Sequence, residues 1–434
     1  MSTVKAPTFQ SMLNEHLPYD LLEEAFKEQN WLYTNCNIKK KPWQGGKLIV
    51  PFEDHTANTI KMGGLTASAD LGTAGYVRGE LTEYKEAYGS IYFNSRDLLN
   101  DHYKVDEQNF IQLLPRQLDR LMKYFRQTIS IQLLNGGALD SVRTGFVGDA
   151  TGVVTIKHPE RFSRTQAVTL VDTTGPTTIS GFVEAIDKNA RTLTIFDARS
   201  GGSATDLTGL DATTKIYIDG GNTTQFRSLK DDLLPAAAGG SDTFAGVTKT
   251  DSTFSQAITY DAGGSSGNGP DWDSGTAVTG NDILTVIFDA LRKNFQLGGE
   301  ANTCIMGFKH FSAAMLALEK GSGGFRHVKP RVDFAGYSEI TVGGVQGSVK
   351  LVGIREMDDD WMALVNKAYM DFHVGTHVIK PMTTPDGIQY FSERNTDGYR
   401  YITDLMLTGE FIYSNPWSGT GIFNIPDYEI SAIT

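Results

Sequence analysis

Lys47-Leu-Ile-Val-Pro-Phe52 and Gly89-Ser-Ile-Tyr-Phe-Asn94 read as one strand going out and one coming back. The residues between them are rich in Gly, Thr, Ser and Ala, with Gly63, Gly64, Gly72, Gly75 and Gly79 among them. Such a stretch has too little apolar material to bury against its own domain, and a lone two-stranded ribbon is marginal in water. An arm of this kind needs a neighbouring surface, and another copy of the same chain is the nearest one available. The sequence therefore points to an assembly subunit before any active site is sought. Directly after the arm, Asp106 to Asn135 has the spacing of one long helix. Leu114, Leu118, Leu121, Phe125 and Ile129 recur at intervals of three or four, while Arg116, Arg120, Lys123 and Arg126 fall mostly on other faces. A helix of roughly 30 residues spans about 45 Å. Pro115 predicts a kink or a later start, and Gly136-Gly137 a stop.

The 434 residues allow two or three domains. An apolar content of 40% with 46 glycines fits many turns and ribbons around modest cores, and 10% aromatics argue against disorder. No window approaches a membrane-spanning run, and Met1 to Pro7 has neither the apolar core nor the cleavage site of a secretory signal. Cys36 and Cys304 lie far apart in no metal-like spacing and read as free thiols of a reducing compartment. The net charge of −12 opposes affinity for a polyanion. It is compatible with a protein that encloses DNA without gripping it.

Outward from the long helix the chain divides by pattern. Residues 1–42 read as an extended arm with one helix, on which Leu22, Phe26 and Tyr33 share a face, and Lys39-Lys-Lys41 reads as a solvated loop. Val153 to Phe226 changes to short β-branched strands, Ala167–Val171, Thr178–Ile186, Thr192–Phe196 and Lys215–Ile218, the middle pair joined by a turn at Asp187-Lys-Asn-Ala-Arg191. With helix-rich sequence on both sides, this predicts an inserted small barrel or sandwich, with Thr165–Phe226 as a self-contained unit. It lacks the clustered basic and aromatic residues of an oligonucleotide binder, so its role is read as structural. Residues 236–280 are Gly-, Ser- and Thr-rich. From Asp282 the pattern is α/β: a helix through Ile283, Ile287, Leu291 and Phe295 ended by Gly298-Gly299, a strand at Thr303–Met306, and a second helix from Lys309 to Lys320. Strands follow at Ile340–Ile354, Trp361–Val365 and Tyr401–Tyr413.

No phosphate loop, H-E-x-x-H or C-x-x-C occurs. Gly263-Gly-Ser265-Ser-Gly267 matches a nucleophile elbow in letters only, because it sits in low-complexity sequence and not between a buried strand and a helix. Asp358-Asp-Asp360 reads as a solvated turn. His373 and His377 are four apart in strand-like sequence, where that spacing does not make one face. No catalytic residue, cofactor or metal ligand is assigned, which weighs against an enzyme.

The order of these parts resembles the tailed-phage major capsid proteins of the Hong Kong 97 type. Local phrases carry it further: Phe244-Ala-Gly-Val-Thr-Lys-Thr250 is similar to the "F-x-G-[IV]" segment preceding the axial domain of many coats. Asp282 to Leu318 is similar to the start of that domain, and Thr408-Gly-Glu-Phe-Ile-Tyr-Ser-Asn-Pro416 to the last strand of the peripheral domain. The resemblance implies an α+β fold with an N-terminal arm (1–42), an extended β-ribbon loop (43–94), and a peripheral domain (95–152) with its spine helix at 106–137. An inserted all-β domain (153–226) and a connecting segment (227–280) follow, then an axial domain (281–385) and C-terminal strands completing the peripheral domain (386–434). Gly63, Gly64, Leu65, Gly72, Gly75 and Tyr76 of the loop are expected to touch a neighbouring subunit, with Leu114, Leu118, Leu121, Phe125 and Ile129 as the core of the spine. The implied function is a subunit that self-assembles, as hexamers and pentamers, into the icosahedral shell around the double-stranded DNA of a tailed phage, without sequence-specific binding. Its place would be the virion, after assembly in the host cytoplasm, with no membrane step. The short arm implies a separate scaffolding protein, and the class implies a portal. A phage or cell-surface decoration or glycan-binding β protein is the alternative; it predicts a dominant β domain with surface aromatics and acids.

Overall fold

The computed structural model describes residues 30–40, 47–55, 75–81, 85–94 and 107–428, apart from 144, 176, 200, 222–224, 252–254, 264–269, 273, 321–330, 334–336, 345–346, 375–378, 382–390 and 396–397. Along the chain, helix α1 (Trp31–Asn35) precedes β1 (Asn37–Lys40), β2 (Leu48–His55), β3 (Gly75–Leu81), β4 (Lys85–Asn94) and the long helix α2 (Glu107–Asn135). Six strands follow: β5 (Asp140–Ser141), β6 (Val153–Thr155), β7 (Ala167–Val171), β8 (Thr178–Asp187), β9 (Thr192–Phe196) and β10 (Lys215–Ile218). Next are α3 (Leu229–Leu233), β11 (Thr243–Phe244), β12 (Val247–Thr248), β13 (Ile258–Asp261), α4 (Ile283–Gln296), β14 (Thr303–Gly307) and α5 (Phe308–Lys320). The rest is strand: β15 (Arg331–Asp333), β16 (Tyr337–Gly344), β17 (Gly347–Ile354), β18 (Met362–Val365), β19 (Met370–Val374), β20 (Ile379–Pro381), β21 (Phe391–Asn395), β22 (Gly398–Tyr413) and β23 (Thr420–Phe423). The class is α+β, and the chain folds as two compact units.

The first unit, 1–48, 82–129 and 371–410, is built on a six-stranded sheet in which the 16-residue β22 pairs with β4, β19, β20 and β21, and β1 adds in parallel to β19. The first part of α2 belongs to this unit and packs on β4 through a side-chain-free position. A Cβ on Gly89 would lie 3.2 Å from Leu121 Cδ1 and 3.3 Å from Phe125 Cδ2. Gly409 on β22 serves Phe372 in the same way, since a Cβ there would lie 2.5 Å from the Phe372 ring. Tyr33 meets that ring edge-on at 5.6 Å.

Three expectations change in this unit. The strand returning from the ribbon is β3, which pairs with β2, whereas Gly89–Asn94 belongs to β4 and the six-stranded sheet. The loop therefore closes at Leu81, not Asn94. Lys39 and Lys40 form β1 and no solvated loop: Lys39 Nζ lies 2.6 Å from the buried Asp371 carboxylate. The long helix begins at Glu107 and carries Pro115 within it, so the later start does not occur. Pro115 is the ninth residue of the helix, so its missing N–H removes one bond to the Ile111 carbonyl while the helix continues past it. Leu22 and Phe26 fall outside the described residues.

The second unit, 49–81, 130–370 and 411–434, contains the ribbon strands, a small barrel and a seven-stranded mixed sheet. The mixed sheet has the order β13-β23-β18-β14-β17-β16-β15, with β13–β23 and β14–β17 parallel. β14 is buried along its whole length, as a central strand covered on both faces must be. Ile283, Ile287 and Leu291 of α4 and Phe311 and Leu318 of α5 close the core over it. The axial boundaries therefore shift: β13 and β23, placed elsewhere by the sequence, join this sheet, while β19 and β20 join the other.

The barrel is larger than the sequence indicated. Its order is β5-β10-β7-β8-β9-β6, and a bridge between Val142 and Ile156, with Arg143 N donating to Thr155 O at 3.0 Å, joins β6 back to β5. Val154, Val168, Leu170, Val183, Leu193 and Ile195 fill the interior. A two-residue strand such as β5 has no periodicity to read, so Asp140–Thr155 escaped the sequence-based boundary. A fragment of residues 139–220 is therefore expected to give a dispersed amide spectrum, and Thr165–Phe226, lacking β5 and β6, a collapsed one. Equal dispersion from both would refute closure through β5 and β6.

Candidate functional site

Among the described residues, the ribbon, the spine helix and one charged cleft gather the groups that bear on function. Gly63, Gly64, Leu65 and Gly72 lie outside the described residues; Gly75 and Tyr76 open β3. The base of the ribbon is held from below. Phe244 and Val247 pair across a two-residue turn in which Ala245 has φ 47° and Gly246 φ 81°, the backbone of a primed hairpin turn. Ala245 O accepts from Glu80 N of β3 at 2.7 Å. The "F-x-G-[IV]" phrase is thus a clamp on the ribbon root.

Charged groups brace the clamp. The Arg227 guanidinium lies 5.0 Å over the buried Phe244 ring, donates to Thr243 O at 3.0 Å, and pairs with the fully buried Asp232. The second Asp232 oxygen accepts from Tyr413 N at 2.7 Å. Lys249 Nζ donates to the carbonyls of Asp231 (2.6 Å) and Leu234 (2.7 Å). Burial pulls Lys249 down to about 8, with Asp232 acting against that.

On the spine, Phe125 is 7% and Ile129 1% exposed, and Leu121 is half-buried. The side chains of Leu114 and Leu118 lie outside the described residues. Arg126 is buried and donates from Nε to Met122 O at 3.0 Å; Arg120 and Lys123 are exposed. At the end of the helix, Asn135 accepts from Asp358 N and Trp361 Nε1, each at 3.1 Å, and donates to Glu356 O at 2.7 Å.

Asp358-Asp-Asp360 is a junction, not a solvated turn. Asp358 pairs with the buried Arg161 at 2.7 Å, and Asp360 with Lys230 at 3.1 Å. Arg161 also donates to Leu139 O at 2.9 Å and Glu356 O at 3.1 Å. Asp359 O accepts from His310 Nε2 at 2.7 Å, which leaves Nδ1 to accept from Tyr428 O–H at 2.6 Å. Burial lowers the His310 pKa, and both bonds suit the neutral ring. The sequence could not show this, because Arg161 and Asp358 are 197 positions apart.

Beside the junction lies a cleft of about 410 Å³ lined by Lys157, His158, Glu160, Lys188, Arg191 and Lys309, with Pro159 and Asp359. His158 holds Glu160 at 3.3 Å and draws its carboxyl down to about 2. Lys309 pairs with Asp427 and lies 4.7 Å over the Tyr428 ring. The lining has no hydroxyl or thiol nucleophile. Among the described residues no three His, Cys, Asp or Glu side chains gather as metal ligands, and no helix is long and apolar enough to cross a membrane.

No family model matches the sequence, and no curated protein matches it. Among solved structures, the chain is similar to the capsid of cyanophage A-1(L), at 10% identity over 93% of this chain and 92% of that one, with a TM-score of 0.44. It is similar to the capsid of a native GTA particle at 8% identity, 92% and 90% coverage and a TM-score of 0.43. It is also similar to the SrpI encapsulin of Synechococcus elongatus at 8% identity, 92% and 89% coverage and a TM-score of 0.40.

Proposed function

We propose that the chain is a shell-forming subunit of the tailed-phage type, with the Hong Kong 97 arrangement of parts. The observation that carries this reading is the ribbon. β2 and β3 pair only with each other among the described strands, and the 19 residues between them are Gly-, Thr- and Ala-rich. Main-chain polar groups along such a ribbon need partners outside it, and its clamped root lets it reach another subunit as a lever. A 29-residue spine whose first part packs on β4, and a unit with a seven-stranded sheet, supply the folded parts of the chain. The described cleft is lined by charged side chains without a hydroxyl or thiol nucleophile, which favours a structural reading.

The finer picture follows from the same reading: hexamers and pentamers closing an icosahedral shell in the virion, formed in the host cytoplasm with a separate scaffolding protein and a portal, around DNA that is not gripped. The decoration or glycan-binding alternative is not favoured, since the barrel is one part of three and the cleft beside it presents no aromatic platform. Replacing residues 56–74 by Asn-Gly, which suits a tight hairpin, is expected to leave a folded, soluble subunit that sediments as monomer or small oligomer. Shells of normal size from this variant would refute the role given to the ribbon.

A further inference from the structure

The barrel carries opposite charge at its two ends, and strand register shows which loops lie where. Val171 at the end of β7 pairs with Lys215 at the start of β10, and Val153 at the start of β6 pairs with Thr194 near the close of β9. Loops 143–152, 172–177 and 197–214 therefore share one end. The other end takes 156–166 and the 188–191 turn, since Asp187 pairs with Thr192 and Thr155 also pairs with Thr192.

The first end is acidic. Asp149, Asp172, Asp197, Asp206 and Asp211 stand in those loops with two arginines, Arg143 and Arg199. Thr151 and Thr208 donate hydrogen bonds that hold Asp149 and Asp206 below the usual carboxylate range, so both stay ionised well into acid. The second end opens into the cleft. Lys157, Lys188 and Arg191 are exposed there and make no direct ion pair among the described residues, although Lys157 helps hold the Asp427 carboxyl down. A single chain thus presents three exposed cations at one end of the barrel and a crown of aspartates at the other, within a protein of net charge −12.

We propose that the cationic cleft of one subunit receives the aspartate loops of the neighbouring subunit's barrel, so that barrels pair head to tail. The inference rests on the self-assembly reading above and adds the contact. A head-to-tail contact uses two different patches and closes into a ring when its rotation allows. The cleft fits this occupant better than nucleic acid. Its volume of about 410 Å³ takes a few side chains and not a duplex. Complementary potentials of this kind set register and rate, and salt weakens them.

The test uses the full chain and two sets of changes. Lys157→Glu with Lys188→Glu reverses the cleft. Asp149→Asn, Asp197→Asn, Asp206→Asn and Asp211→Asn neutralise the crown while keeping the turn acceptors. Circular dichroism and melting of the unassembled subunits check that each variant folds. Light scattering and sedimentation then give the concentration for half-maximal assembly at about 0.05 M and about 0.5 M salt. The reversal is expected to raise that concentration at least about tenfold at low salt. Adding the crown changes to the reversal is expected to lower it again, because the reversed cleft no longer meets like charge. Wild-type assembly by the reversed chain, or a combined variant worse than either parent, would overturn the pairing while leaving the shell reading in place. Unchanged assembly with loss of binding to a short DNA duplex would overturn it in favour of a nucleic-acid site. A wild-type chain that forms no assemblies at any salt would overturn the shell reading itself.

Discussion

Phe125→Ala is expected to cost about 3–5 kcal/mol, the range for removing a buried phenyl ring. Phe125 is 7% exposed, and its ring lies against the bare backbone of Gly89 on β4. A loss of this size is a large part of the roughly 5–15 kcal/mol that holds an ordinary domain together. The subunit should therefore melt lower and be recovered in smaller soluble yield, unlike the ribbon variant, which keeps its folded body. The contact can be checked from its other side. Gly89→Ala alone crowds Leu121 and Phe125, whereas in the Phe125→Ala background the added methyl enters the vacated space. The two changes should be less damaging together than their sum. An unchanged melting temperature in Phe125→Ala would mean that the spine is not fastened to the sheet here.

Arg161→Ala should be of similar size, about 3–5 kcal/mol, because it strands a charged partner. The Arg161 side chain is 2% exposed and gathers Asp358, Leu139 O and Glu356 O, tying the barrel to the loop before β18. Burial opposes ionisation of Asp358, but Arg161, with Lys230 and His158, outweighs it and holds the carboxyl below its ordinary value of 3.8. A carboxyl whose folded pKa is depressed contributes stability above its unfolded pKa and loses it as pH falls through the folded value. Wild type should therefore lose this contribution below about pH 3.8, and Arg161→Ala should show a shallower acid slope there. Arg161→Met with Asp358→Asn removes both charges and should be milder than Arg161→Ala. If the double change is as harmful as the single one, the stranded charge is not the cause.

Elements whose pattern is local were legible. The spine, α4, β14, α5 and the β8–β9 hairpin each announce themselves through periodicity and turn residues within one window, and their ends agree with the structure to within a few residues. Pairing between distant segments was not legible. By sequence the ribbon returns at Gly89–Asn94, and only the pairing of β3 with β2 and of β4 with β22, more than 300 positions away, moves that return to Gly75–Leu81. The two visits that the chain pays to each sheet, and the two-residue β5, leave no periodic trace. The cleft is the extreme case. Lys157, Lys188, Arg191 and Lys309 are scattered between positions 157 and 309 and converge only because the barrel and α5 bring them together. The poverty of the ribbon tip in apolar residues is a compositional fact that pairing does not alter, and the proposed contact with another subunit starts from it.

Electron microscopy of the purified 434-residue chain tests the central claim most directly. The account predicts closed icosahedral shells, or rings of five and six subunits, whose density holds the spine across a six-stranded sheet and the ribbon lying on the adjacent subunit. Monodisperse single subunits under all assembly conditions, with the ribbon folded back on its own body, would contradict it.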